Sequence, residues 1–221
     1  MPALSSLARS LGAPRAVALA AVAVVLLVVA SGSAAAPEAR WRTYTIADVG
    51  AIALPGSWLN VTRQTPAVRT AIQRAAARNS KVAPLLYALT VQMGPLVKFV
   101  AADFARASLR RGFVTNLNVL AQRTTVRLDV WAKANTRALQ RTTSVIKPVH
   151  RRYVPLPAGR ALWLKFVQRL PAGDHIATVS VTQFAVARSG FIYLLTYSTT
   201  PKQARAYAPG FLRSARSLRL R

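Results

Sequence analysis

The sequence predicts an α+β fold, an antiparallel sheet interrupted by helices that pack on its faces, and three observations predict it. The C-terminal half holds four strand-like runs, Val145 to Val154, Ala161 to Arg169, Ile176 to Ala187 and Phe191 to Thr199, separated by the turn signals Pro157-Ala-Gly159, Pro171-Ala-Gly173 and Ser189-Gly190. Helical spacing appears elsewhere, entered through Thr65-Pro66, Thr125 and Thr200-Pro201. The chain has 221 residues and is 52% hydrophobic, which supports one domain with a sizeable core and excludes disorder.

From the N-terminal side, Arg42 to Leu54 reads as two short strands around Asp48-Val-Gly50, and Leu54-Pro-Gly-Ser-Trp58 is a turn ending in an aromatic anchor. Thr65 and Pro66 suit the N-cap and N1 of a helix with Val68, Ile72 and Ala75 or Ala76 on one face and Arg69, Arg74 and Arg78 elsewhere. Pro84 to Gln92, with Leu85, Leu86 and Leu89, adds a second helical piece, so the two form a helical hairpin or lid interrupting the early sheet. Leu96 to Phe104 and Phe113 to Ala121 read as strands. Thr125 caps a helix from Val126 to about Gln140 whose Leu128, Trp131, Ala132 and Leu139 share a face. Within Ala161 to Arg169, Leu162, Leu164 and Phe166 alternate with Trp163, Lys165 and Val167, as in a half-buried antiparallel strand. Thr200-Pro201 opens a final helix, broken or restarted at Pro209-Gly210, and Ser217 to Leu220 adds a short edge strand. Asn116 and Asn118 alternate with Leu117 and Val119, and are expected as buried polar residues that fix strand register by hydrogen bonding.

The first residues carry an export pattern. Arg9 and Arg15 are followed by no charged residue until Glu38, and Ala16 to Ala30 consists of Ala, Val and Leu. Ala34 and Ala36 fit an A-x-A cleavage site before Pro37; uncut, Ala16 to Ala36 is just long enough to span a bilayer, and both readings stay open. Either way Arg9 and Arg15 hold the N-terminus on the cytoplasmic side. The expected organisation is residues 1–36 as a signal peptide or uncleaved N-terminal anchor, then residues 37–221 as one extracytoplasmic α+β domain with a helical insertion at about 65–92. That domain is secreted or attached to the outer face of the cytoplasmic membrane.

Charge is the outlying quantity: Lys and Arg number 31 against five Asp and Glu, a formal net charge of +26. Without Arg9 and Arg15, 29 basic residues face Glu38, Asp48, Asp103, Asp129 and Asp174, a net of about +24. Arginine outnumbers lysine 25 to 6, which partly reflects a GC-rich genome, but that bias does not explain the scarcity of acids. A protein this basic associates with anionic surfaces or polymers in a salt-dependent way. The charge reads equally as a working surface or as a solubility device.

The supply of catalytic side chains is thin. Cysteine is absent, which excludes structural disulfides, thiolate metal sites, a cysteine nucleophile and a lipidated cysteine. Of the two histidines, His175 adjoins Asp174 in a turn, where Asp serves the backbone, and His150 precedes Arg151-Arg152, a setting that repels metal cations. Ser144-Val-Ile-Lys147 matches an S-x-x-K spacing but lies in a strand-like run and lacks the companion S-D-N and K-T-G elements. The sequence holds no G-x-S-x-G, H-E-x-x-H or phosphate loop. Asn60-Val-Thr62 is a formal glycosylation sequon, expected to be idle. Tyr44, Trp58, Trp131, Trp163, Tyr193 and Tyr197 among arginines suggest base stacking, but their placement on apolar faces favours core packing over specific nucleic-acid binding. The expectation is a non-enzymatic protein with no catalytic residues, no metal site and no cofactor.

A series of landmarks carries a family resemblance: a strand ending in Leu54-Pro-Gly-Ser-Trp58, the strand Phe113-Val-Thr-Asn116-Leu-Asn118-Val followed by a helix, Leu156-Pro-Ala-Gly159-Arg160 leading into a strand, a strand containing Gln183-Phe184, Phe191 to Tyr197, and a closing Phe211…Ser214-Ala-Arg216-Ser217. Their order, over about Trp41 to Leu220, resembles the PsbP-like family, which joins the photosystem extrinsic subunit PsbP, a Ran-binding nuclear import factor and exported actinobacterial proteins. The resemblance implies an α/β/α sandwich around a largely antiparallel sheet, in a single domain, and a docking, scaffolding or assembly role. It transfers no partner. The chain departs from the exported lipoproteins of that group in having no acceptor cysteine.

The leading expectation is an exported accessory domain that docks to an envelope protein or to an anionic polymer or membrane surface. The candidate partner-binding residues are the pairs Arg110-Arg111 and Arg151-Arg152, each at a loop or strand edge where a guanidinium fork can grip phosphate or carboxylate bidentately. The alternative is a carrier that holds a small apolar or lipid ligand between the sheet and the helical hairpin. A hydrolase using His175 or Ser144 is the third and weakest reading.

Overall fold

The computed structural model describes residues 40–63, 65–78, 95–105, 114–172 and 175–221. The N-terminal segment, the helical piece at 84–92, Arg110, Arg111 and Asp174 lie outside the described residues.

Two antiparallel sheets organise the fold. The larger one orders its strands β3 (Trp58–Asn60), β4 (Val97–Asp103), β5 (Asn116–Arg123), β9 (Phe191–Thr199), β8 (His175–Arg188), β7 (Gly159–Ala172) and β6 (Val145–Leu156). The smaller one joins β1 (Trp41–Ile46), β2 (Gly50–Pro55) and β10 (Arg219–Leu220). Helices α1 (Pro66–Arg78), α2 (Leu128–Arg141) and α3 (Ala204–Ser217) complete the described elements.

Strand alternation divides the core into two layers. On one face of the large sheet, Leu162, Leu164 and Phe166 pack with Trp131, Ala132 and Leu139 of α2 and with Val68 and Ala75 of α1. On the other, Phe99, Leu117, Phe184, Leu195 and Tyr197 pack with Phe211 and Ala215 of α3 and with Ile52 and Leu54 of the small sheet. The protein is therefore an α+β sandwich with an antiparallel sheet between helical layers. Among the described residues, side chains from both sheets and all three helices build these two layers. An aromatic column ties α3 down: Phe211 stacks on Tyr197 at 4.7 Å and on Tyr207 at 5.6 Å, and Trp58 meets it edge-on at 6.5 Å.

Local chemistry accounts for the element ends. Thr65 caps α1 as expected, its Oγ1 accepting the Val68 N–H at 3.3 Å. The β1–β2 turn places Asp48 at φ 59° and Gly50 at φ 143°. A Cβ at Gly50 would lie 1.8 Å from the Arg219 carbonyl oxygen, so only glycine lets β10 dock against β2. The expected short strand from Ser217 thus pairs into the small sheet.

Three expectations need correction. Thr125 does not cap α2: Thr124 Oγ1 accepts the Val126 N–H at 3.0 Å, holding these residues in a turn, and the helix starts at Leu128 behind an uncapped Arg127. Pro209 does not break α3, which runs through it. Pro209 and Arg205 are both exposed, so the carbonyl that loses its donor faces solvent. Asn116 and Asn118 do not bond across the sheet to set register; the Asn116 amide donates to the nearby Val114 carbonyl at 3.0 Å, and neither Oδ1 has a partner.

Candidate functional site

The outermost strand of the large sheet, β6, brings the described candidate arginines together with new neighbours. Pro148 lies on this edge, where its missing N–H is tolerated, and the β6–β7 register shifts between Ile146 and His150. Beyond that irregularity His150 lies opposite Lys165, Arg151 opposite Leu164, Arg152 opposite Trp163 and Pro155 opposite Arg160.

Because successive strand residues point to opposite faces, Arg151 and Arg152 do not form one fork. Arg152 shares a face with His150, Trp163 and Lys165, and its guanidinium carbon lies 4.6 Å from the Trp163 ring centroid. Arg151 shares the other face with Tyr153 and Arg160, and the Arg160 guanidinium carbon lies 3.9 Å from the Tyr153 centroid. Arg151, Arg152 and Arg160 are exposed. Stacking on an aromatic face contributes about 0.5–1 kcal/mol at exposed sites and leaves the N–H edge of the guanidinium free to donate. A shallow groove of about 330 Å³ lies where β6 turns into β7, lined by Tyr153, Val154, Pro155, Leu156, Gly159 and Arg160.

Among the described residues no carboxylate is ion-paired with this edge. Among the described residues the ion pair is Arg127 with Asp129, at 3.3 Å and exposed on α2. Asp129 sits below its ordinary value: desolvation, the largest single effect, raises it but is outweighed by the backbone N–H groups of the first helical turn and the Arg127 guanidinium together. Asp103 is buried, accepting the Tyr207 hydroxyl at 2.6 Å and the Ala105 N–H at 2.9 Å.

Other singled-out residues are not brought together. His150 is exposed on β6, whereas His175 opens β8 opposite Ala172. Lys165, the partner of His150, is seven residues from Ala172 along β7, about 24 Å of strand, so the two histidines do not converge. Among the described residues no group of three or more His, Asp or Glu gathers. Ser144 lies in the turn before β6, its Oγ accepting the Gln168 amide at 3.3 Å, and Lys147 follows within the strand rather than on a helix. Trp58, Trp131, Tyr193 and Tyr197 are buried in the core, and Tyr44 and Trp163 are half-buried.

Sequence reasoning missed Arg160, Tyr153 and Trp163 as parts of this edge. The signal was available in the turn: Pro157-Ala158 between Leu156 and Gly159 sets a two-residue hairpin, which fixes Arg160 opposite Pro155 and Trp163 opposite Arg152.

No helix among the described residues is long and apolar enough to cross a membrane. No protein-family model matches the chain, and no curated protein matches it. Among solved structures, the chain is similar to cyanobacterial PsbP from Synechocystis, with a TM-score of 0.46 and 13% identity over 87% of this chain and 99% of that one. It is also similar to a protein of unknown function from Pseudomonas aeruginosa, with a TM-score of 0.41 and 10% identity over 82% of this chain and 97% of that one.

Proposed function

We propose that the chain is an exported, non-enzymatic accessory domain of the PsbP-like, actinobacterial type, and that it docks through the β6 edge to a linear anionic polymer of the cell envelope. The observation that carries this reading is the set of exposed guanidiniums on β6 and β7, two of them stacked on Tyr153 and Trp163, with no acid among the described residues in ion-pairing reach of them. Export is supported by Arg9, Arg15 and the uncharged run from Ala16 to Ala30.

The two-faced arrangement favours a polymer over a membrane plane. Arg151 with Arg160, and Arg152 with Lys165, lie on opposite sides of one edge strand. A flat bilayer meets one side at a time, whereas a flexible chain of phosphates or carboxylates wraps the edge and engages both. The test is binding of residues 37–221 to inorganic polyphosphate and to polyglutamate, against vesicles with anionic lipid. The expected result is saturable polymer binding that weakens about tenfold in the Arg151→Gln, Arg152→Gln, Arg160→Gln triple variant, at roughly 0.5 kcal/mol per exposed charge pair. Vesicle binding with no polymer binding sinks the reading.

A further inference from the structure

The middle of the large sheet carries a polar strip where apolar side chains are the rule. On β5, Asn116 lies opposite Ser198 of β9 and Asn118 opposite Thr196; Thr196 lies in turn opposite Gln183 of β8. Gln183 pairs with Leu164, so all five share the face covered by α1 and α2. Asn116, Gln183, Thr196 and Ser198 are each no more than 2% exposed, and Asn118 is half-buried.

Their hydrogen bonds are incomplete. Gln183 Nε2 donates to Thr196 Oγ1 at 3.2 Å and Asn116 Nδ2 to the Val114 carbonyl at 3.0 Å. Asn116 Oδ1, Asn118 Oδ1, Gln183 Oε1 and Ser198 Oγ have no partner. On α2, above the same face, the Trp131 indole N–H, Asn135 Nδ2 and Thr136 Oγ1 are likewise buried without one. Each such group costs about 1–3 kcal/mol if left unmet. Strand spacing confines the sheet oxygens to a patch roughly 10 Å by 7 Å. Scattered orphans are tolerable losses; four oxygens from three adjacent strands in one patch make a recognition surface.

We infer that this strip binds a small, uncharged polyol, a monosaccharide or cyclitol ring whose hydroxyls donate to the sheet oxygens. Among the described residues the strip and the α2 groups above it are amides, hydroxyls and an indole with no ionisable group, which favours a neutral ligand. The same face is where an apolar ligand is expected from the sequence; its side chains instead select a polar one. Entry is over α1, which rests on this layer through Val68 and Ala75, with Ile72 half-buried. So narrow an apolar seam makes α1 an element that opens locally without unfolding the sheet.

The test titrates residues 37–221 with glucose, myo-inositol and sucrose, following the side-chain amide NMR signals of Asn116, Asn118 and Gln183 together with the melting temperature. Saturable shifts of those amides with one sugar are expected. In Asn118→Leu the apparent affinity falls about tenfold or more while the ligand-free melting temperature holds or rises, because an unmet polar group has been replaced by an apolar one. Unmoved amide signals at about 100-fold the concentration of a typical sugar-binding Kd overturn the proposal and assign the strip to structural water. Equal stabilisation of the wild type and Asn118→Leu also overturns it, since that is the general exclusion of polyols from protein surface.

Discussion

Arg152 and Trp163 face each other across the β6–β7 ladder with 4.6 Å between the guanidinium carbon and the ring centroid. The indole holds the cation in place while the N–H edge stays open to an anion. Trp163→Leu is therefore expected to cost about 0.5–1 kcal/mol of stacking and to weaken polymer binding several-fold, because Arg152 loses its fixed direction. Urea unfolding and a polymer titration of the same variant check both parts; unchanged binding with lower stability makes the stack purely structural.

Tyr197 gives an alkaline prediction. Its hydroxyl donates to Ser214 Oγ at 2.9 Å in full burial, and desolvation pushes the phenol up, with the Ser214 contact a smaller opposing effect. A raised folded value means the contribution is fully present below the unfolded value of about 10 and is lost as pH rises beyond it. Stability is expected to fall above pH of about 10 in the wild type and to fall less in Tyr197→Phe, which itself costs about 1 kcal/mol at neutral pH. Urea unfolding at neutral and alkaline pH separates the two.

Tyr207 ties α3 to β4 by donating to Asp103 at 2.6 Å. Tyr207→Phe keeps the ring stacked on Phe211 and removes the hydroxyl that bonds Asp103. The expected loss is about 1–2 kcal/mol, or about 2–8 °C in Tm for a domain of this size, read by calorimetry.

Gly50→Ala tests the small sheet. The added Cβ would collide with the Arg219 carbonyl, so β10 is expected to detach while the large sheet keeps its core. Loss of hydrogen-exchange protection confined to β2 and β10 is the expected readout.

Strands whose apolar residues alternate were legible from sequence, because burial on one face imposes period two; Leu162, Leu164 and Phe166 are buried and Trp163, Lys165 and Val167 half-buried, as expected. What failed was local competition. Thr124 rather than Thr125 bonds the backbone before α2, a choice between adjacent threonines that composition does not make. Pro209 reads as a breaker because sequence does not reveal that its orphaned carbonyl faces water. For the basic edge, adjacency in sequence suggested that Arg151 and Arg152 act as a pair, whereas strand geometry sends them to opposite faces and supplies Arg160 and Lys165 as their companions. The polar strip was half visible: Asn116 and Asn118 stood out, but Gln183, Thr196 and Ser198 join them only through sheet register.

The most direct measurement of the central claim is polyphosphate affinity across a salt series spanning Debye lengths from roughly 20 to 5 Å, for three proteins. These are the wild-type body, the Arg151→Gln, Arg152→Gln, Arg160→Gln variant, and a control with the same charge loss at exposed Arg123, Arg137 and Arg205. The expected result is a steep salt dependence for the wild type and the control and a clearly shallower one for the β6-edge variant. Equal losses in both variants would contradict the account, because the net charge of about +24 on this body would then act as a diffuse field with no working edge.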